Sequence, residues 1–296
     1  MVILIPIKYH KRNYPFSIKA NIQEVAGHFD IIEIKPTMNY SLHTEYSAYE
    51  SRKLDSPLLT NLSTIKCLQK EGIPQLWMNE RWVLEFVEFI KNLVNNNKSP
   101  TIIEVHPPFN DYCSSITQFI EIYKVFEREC LRDFTNTQIV IENRSGTRYK
   151  GGEFLISNEN DLIELCRIIT KDDLKLRIVL DIPQLFTNHN LTIGKFSKEE
   201  ISMIFNSLKP IRGSISGIHI WGKKKSDKGR IISHVGNLDT YFHNTEVKLF
   251  FLNTLHDLLD DGRPRYFVPE VNSSDYDVAS IVNDFITNKF NFSSSL

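Results

Sequence analysis

The sequence predicts a single-domain α/β protein folded as a (β/α)8 barrel, the TIM-barrel class. Three observations carry this expectation. Short apolar runs alternate with longer segments of helical periodicity along most of the chain. The apolar runs are continuous Val/Ile/Leu/Phe stretches without polar alternation, as in strands of a parallel sheet buried on both faces. The length, 296 residues, suits one barrel of about 250 residues with its loops.

Strands are expected at 2–7, 30–35, 101–105, 138–142, 177–181, 216–220 and 265–268. Closing a barrel needs one more strand between Lys35 and Thr101. Residues 40–46 and 73–77 are the two candidates, and an open doubly wound sheet is the alternative topology. Helical spacing of apolar residues predicts helices at 82–93, 116–132, 161–170, 198–208, 248–259 and 278–286. The fourth opens with Ser197-Lys-Glu-Glu200, the pattern of a capping box. Strand–helix alternation implies right-handed crossovers. The barrel is expected to fill 1–290, and 291–296 reads as a polar tail that frays.

Composition narrows the function classes. Hydrophobic residues are 41% and charged residues 24%, which is globular and excludes wholesale disorder. Lys plus Arg total 35 against 36 for Asp plus Glu, a net charge of -1. That excludes a globally basic nucleic-acid binder. Cys67, Cys113, Cys130 and Cys166 are scattered with no C-x-x-C pair, so they read as reduced, buried thiols. The apolar start, Met1 to Ile7, is too short for a signal peptide and reads as the first strand. No apolar run is long enough to span a bilayer. The expected compartment is the cytoplasm, with no membrane partner, and homo-oligomerisation is left open.

The chemistry is read at the strand ends. His106, Glu142, Asp181, His219 and Glu270 each close, or nearly close, an apolar run. Any one of them alone reads as a loop starter or an N-cap. As a set they converge, because a parallel barrel sends all strand C-termini to one rim. Three carboxylates brought together repel one another, and a divalent cation removes that penalty. Carboxylate and imidazole donors together suit Zn²⁺, Mn²⁺, Fe²⁺ or Co²⁺.

These segments carry a resemblance. Glu104-Val-His-Pro-Pro108, Val140-Ile-Glu-Asn-Arg-Ser-Gly146, Val179-Leu-Asp-Ile-Pro-Gln184, Gly217-Ile-His-Ile-Trp-Gly222, Ile232-Ser-His-Val-Gly236 and Val268-Pro-Glu-Val-Asn272 are similar to the xylose-isomerase-like TIM barrels. That group joins sugar and sugar-phosphate isomerases and epimerases to apurinic-site nucleases of the endonuclease IV type. The resemblance implies a metal site of Glu142, Asp181, His219 and Glu270. In the epimerase branch it implies that Glu142 and Glu270 act as acid and base. In the nuclease branch it implies that His43 and His106 hold a further ion bridged by Glu142. The chain departs from the nuclease pattern where Gln184 replaces a histidine and where Ile232-Ser-His234 lacks the aspartate of an Asp-x-His pair. Only His234 remains of a third metal site.

Beyond strand seven, Lys223-Lys-Lys-Ser-Asp-Lys-Gly-Arg230 carries five basic residues and one acidic residue. It reads as a solvated loop or as a clamp on an anionic group hinged at Gly222 and Gly229. Lys223, Lys224, Arg144, Gln184, Trp221 and His234 are the candidate substrate contacts. Asp239 reads as an orienter of His234 or as the cap of a helix starting near Thr240. Three readings result. The first is a metal-dependent isomerase or epimerase acting on a small hydroxy-carbonyl compound, phosphorylated or not, through a metal-stabilised enediolate. The second is a dinuclear phosphodiesterase or nuclease, the one reading with a nucleic-acid partner. The third is a non-catalytic binding module. One or two divalent ions are expected, and their identity is open.

Overall fold

Parallel strands buried on both faces close into a barrel when each is followed by a returning segment, and the computed structural model of this chain shows that result. It describes residues 1–28, 33–44, 57–70, 76–149 and 151–294. The strands are β1 (Val2–Lys8), β2 (Ile22–Ala26), β3 (Asn39–His43), β4 (Ile102–Val105), β5 (Gln138–Glu142), β6 (Arg177–Asp181), β7 (Ile215–Ile220), β8 (Lys223–Lys225), β9 (Ile231–Ser233), β10 (Pro264–Pro269) and β11 (Phe290–Phe292). The helices are α1 (Ser63–Lys70), α2 (Glu80–Val94), α3 (Ile116–Asp133), α4 (Glu159–Lys171), α5 (Ile182–Asn188), α6 (Lys198–Leu208), α7 (Leu238–Phe242), α8 (Thr245–Leu259) and α9 (Asp275–Thr287). The main sheet runs β10-β7-β6-β5-β4-β3-β2-β1-β11, and a β1–β10 pairing closes β1–β7 with β10 into an eight-stranded parallel barrel. No described helix is long and apolar enough to cross a membrane.

Contacts group the chain into two units, Glu24–Arg177 and Met1–Gln23 with Ile178–Leu296. In the first, β4 is buried along its whole length and β5 in all but its first residue. Asn79 and Ser115 cap α2 and α3 by accepting from the amides of Trp82 and Gln118. Asn158 and Asp161 form a reciprocal capping box on α4. Trp77, Phe86, Phe119 and Phe126 pack between these helices, with Trp77 5.2 Å from Phe119 and 5.3 Å from Phe126. The Glu127 carboxylate, buried on α3, accepts from the Tyr123 hydroxyl and from the amides of Lys175 and Leu176. It thereby pins the chain just before β6.

In the second unit, Phe186, Phe205, Phe242 and Phe251 join α5 to α8. Lys248 on α8 reaches Asp239 at 2.6 Å and Asp284 at 2.8 Å, tying α7 and α9 to it. Of the expected capping box, the Ser197 half forms: Ser197 caps α6 by accepting from the Glu200 amide, while its hydroxyl donates to Glu199. Cys113, Cys130 and Cys166 are buried, as expected, and the side chain of Cys67 lies outside the described residues.

The differences from the sequence reading have local causes. The second strand lies at Ile22–Ala26, not at 30–35. Residues 33–35 are not strand, and 29–32 lie outside the described residues. Its sequence, IQEVA, carries two polar residues and so lacked an apolar signal. The third strand is Asn39–His43, within the first of the two candidates. Of the second candidate, Leu76 and Trp77 form a turn and 73–75 lie outside the described residues. Asn237, not Asp239, caps α7, since Asp239 is spent on Lys248. Phe290–Phe292 pairs in parallel with the start of β1 where a fraying tail had been expected from 291.

The charged segment after β7 is an antiparallel hairpin, with Lys223 opposite Ser233 and Lys225 opposite Ile231. Gly222 is no hinge. A Cβ there would meet the Gly236 carbonyl oxygen at 2.5 Å and that of Asn237 at 2.8 Å. Gly229 turns the hairpin tip at φ +75° with open space around it. Gly222→Ala is therefore expected to lose about 3 kcal/mol or more, the upper end for overpacking, because backbone atoms must move. Gly229→Ala is expected to lose only about 1–2 kcal/mol, from backbone conformation alone. Urea unfolding of the two variants measures the difference, and equal losses would refute the close-crossing account.

Candidate metal centre

Side chains in a strand alternate between faces, and in parallel neighbours the register decides which of them meet. His43 lies beside Glu104 in the β3–β4 register. Ile103 pairs with Ile139 and Val105 with Ile141 in the next register, so one further step brings His106 level with Glu142. Glu104 and His106 are two positions apart, with Val105 between them, so both face the same way.

The result is a triangle of donor atoms. His43 Nε2 lies 3.1 Å from His106 Nε2. His106 Nε2 lies 2.8 Å from Glu142 Oε2, and His43 Nε2 lies 3.6 Å from the same oxygen. Ligands bound at about 2.0–2.1 Å in a tetrahedral shell sit roughly 3.3 Å apart. The three edges scatter around that value. Glu142 and His106 are buried, and the His43 side chain is 13% exposed.

Two more carboxylates surround His43. Its Nδ1 is 3.3 Å from Glu24 Oε1, and its Nε2 is 3.7 Å from Glu104 Oε1. Both glutamates are buried. Arg144 completes the cluster, with one terminal nitrogen 3.4 Å from each Glu142 oxygen and from His106 Nε2. The Trp77 indole donates to the His106 carbonyl at 2.7 Å. Trp77 holds φ +58° to do so, a strained conformation for a bulky residue.

Burial works against charge at all three corners of the triangle. It would lower the His43 pKa, but Glu104, Glu142 and Glu24 raise it well above the usual histidine range. Burial lowers that of His106, and Arg144 and His43 add to the effect against the Glu142 hydrogen bond. Burial would raise that of Glu142, yet Arg144, His106 and His43 hold it well below the usual carboxylate range. One charged and one neutral imidazole thus face an ionised carboxylate. A proton on His43 and the Arg144 guanidinium supply the positive charge that a bound cation would otherwise bring. The donor set, two imidazoles and a carboxylate, fits Zn²⁺, Fe²⁺, Co²⁺ or Mn²⁺.

The second unit carries the other expected residues. The registers set His219 beside Asp181 and beside Val268. His219 Nδ1 is 3.1 Å from Glu270 Oε1. Asp181 is buried and caps α5. Its carboxylate accepts from the Gln184 amide at 2.9 Å and from the Trp221 indole at 3.0 and 3.1 Å. Trp221 also stacks on His234, with centroids 4.1 Å apart. His234 holds φ +58°, its Nδ1 lies 3.0 Å from the Glu270 carbonyl oxygen, and its own carbonyl accepts from Asn272.

Lys223 is not on an open loop. It is 5% exposed, donates to the Thr187 hydroxyl at 2.6 Å, and lies over the Trp221 and Tyr241 rings. Lys224 is exposed and has no ion-pair partner among the described residues.

Glu24 and Glu104 were missed from sequence. Glu104 had a signal: a lone acid inside an apolar strand, two residues before His106, belongs to the same face. Glu24 had none once its strand was misplaced.

No known protein-family model and no curated protein matches the chain. Solved structures do. An AP endonuclease, family 2, from Brucella melitensis has 9% identity and a TM-score of 0.48, over 95% of this chain and 98% of its own. A thermostable xylanase mutant from Cellvibrio japonicus has 10% identity and a TM-score of 0.42, over 78% of each chain. A family 5 glycoside hydrolase from Prevotella bryantii has 7% identity and a TM-score of 0.40, over 85% and 82%.

Proposed function

We propose that this chain is a divalent-metal-dependent enzyme that hydrolyses a phosphoester, with His43, His106 and Glu142 as ligands of one ion. The observation that carries it is the triangle, whose edges of 2.8, 3.1 and 3.6 Å already match a metal shell. A bound ion would supply Lewis acidity and a water ionised near neutral pH. Asp181, His219 and Glu270 are proposed as ligands of a second ion.

The protein's own groups do the rest. His43, His106 and Glu142 present their donors from three strands, which fixes the geometry before binding. Burial of these groups keeps bulk water away from them. Arg144 offers a planar fork suited to a phosphate oxygen pair, and His234 and Lys224 are further anion contacts. Trp221 holds the Asp181 carboxylate through its N–H and fixes the ring plane of His234. Gln184 acts through its backbone amide on Asp181.

Isomerisation or epimerisation, the first reading from sequence, has less support. It asks Glu142 to take a proton from carbon. Both oxygens of Glu142 are engaged by Arg144, and Oε2 by His106 as well. A carboxylate held that far below neutral is a weak base. Glu270, paired with His219, keeps the better environment for proton transfer.

Metal analysis of the purified chain, paired with hydrolysis of bis(p-nitrophenyl) phosphate before and after chelation, tests the proposal. The expected result is at least one Zn²⁺, Mn²⁺, Fe²⁺ or Co²⁺ per chain and hydrolysis that the metal restores. A chain that binds none of the four ions overturns it.

A further inference from the structure

We propose that Glu24 is a positioning residue that fixes which nitrogen of His43 faces the donor triangle; this rests on the metal reading above. An imidazole has two nitrogens, and a metal takes whichever lone pair is presented. A ligating histidine therefore needs a partner on its other nitrogen, which also raises its strength as a donor. His43 has such a partner. Its Nδ1 sits 3.3 Å from Glu24 Oε1, while its Nε2 lies 3.1 Å from His106 Nε2 and 3.6 Å from Glu142 Oε2. Nδ1–H donates to Glu24, and Nε2 is left for the cation.

Glu24 is 7% exposed, on a strand whose neighbour Ile22 is core. Its second oxygen, Oε2, is buried with no hydrogen-bond partner among the described residues. Burying a carboxylate this way is costly unless a charged or donor group repays it. His43 is one such group. Glu104 Oε1 lies 3.7 Å from His43 Nε2, on the side of the ligand nitrogen.

The experiment uses zinc-loaded full-length protein. Long-range ¹H–¹⁵N NMR should show His43 protonated at Nδ1 and ligated through Nε2. Zinc affinity, from competition with a chromogenic chelator, should fall about 10–100-fold in Glu24→Leu. Glu24→Gln, which keeps an acceptor oxygen, should recover most of that loss. Thermal unfolding of both variants separates misfolding from positioning. A purely structural Glu24 predicts a lower melting temperature with unchanged zinc affinity and unchanged His43 nitrogen shifts, and that result overturns the proposal while leaving the metal reading intact. Ligation of wild-type His43 through Nδ1 overturns it without any variant. A wild-type chain that takes up no zinc overturns the metal reading and this proposal together.

Discussion

Glu142→Gln should remove the bound divalent ion and with it at least about a thousandfold of any metal-dependent turnover. The amide keeps the shape of the carboxylate but loses the charge that the triangle needs. His43 and His106 would then face a cation with no anionic ligand between them, and Arg144 would lose the carboxylate it touches through both oxygens. Arg144 would be the larger positive influence left there, and it repels a metal. The fold should survive, because Glu142 lies at the end of β5 and the strand's pairing uses backbone groups. Metal content per chain, residual hydrolysis and circular dichroism measure the three parts. A folded variant that retains its ion would remove Glu142 from the ligand set. A variant that keeps the ion and full hydrolysis would show that the chemistry lies elsewhere.

How visible this centre was in the sequence differs residue by residue. His106 and Glu142 stood out because each closes an apolar run, and burial of both strand faces makes such runs unbroken. The strand bearing Glu24 was invisible for the converse reason. A strand that points a carboxylate into the centre loses the apolar continuity that would reveal it, so Glu24 masked its own strand. Asp181 shows the limit of strand-end reasoning. The rule that ionisable strand ends converge places it at the rim. The rule that aspartate after a strand caps the next helix also places it there, and the structure shows the cap. Both rules read the same residue, and the Trp221 indole on its carboxylate indicates that more than capping holds it. The hairpin of β8 and β9 escaped because each strand is three residues long, too short to show a period, and the first is all lysine, with little strand propensity.

Lys223→Met should make the protein more stable at pH 7 and less active. Burial lowers the Lys223 pKa from 10.5 to about 8, against the pull of Asp181. The sign follows from proton counting. Between about pH 8 and 10.5 the unfolded chain holds a proton that the native state has shed. Stability therefore rises with pH across that window, and below it the full cost of the buried ammonium remains. The shift converts to about 3 kcal/mol. The variant removes that cost but forfeits the bond to Thr187 and the contacts with Trp221 and Tyr241, together worth about 2 kcal/mol. A gain of roughly 1 kcal/mol at pH 7 should remain, and wild type should overtake the variant before pH 10.5. Urea midpoints at pH 7, 8.5 and 10 test this, and a gap that does not narrow with pH would refute the buried-ammonium account. A costly cation persists where its field is used. Here it lies over the Trp221 ring that binds Asp181, so removing it should weaken activity even as the fold tightens.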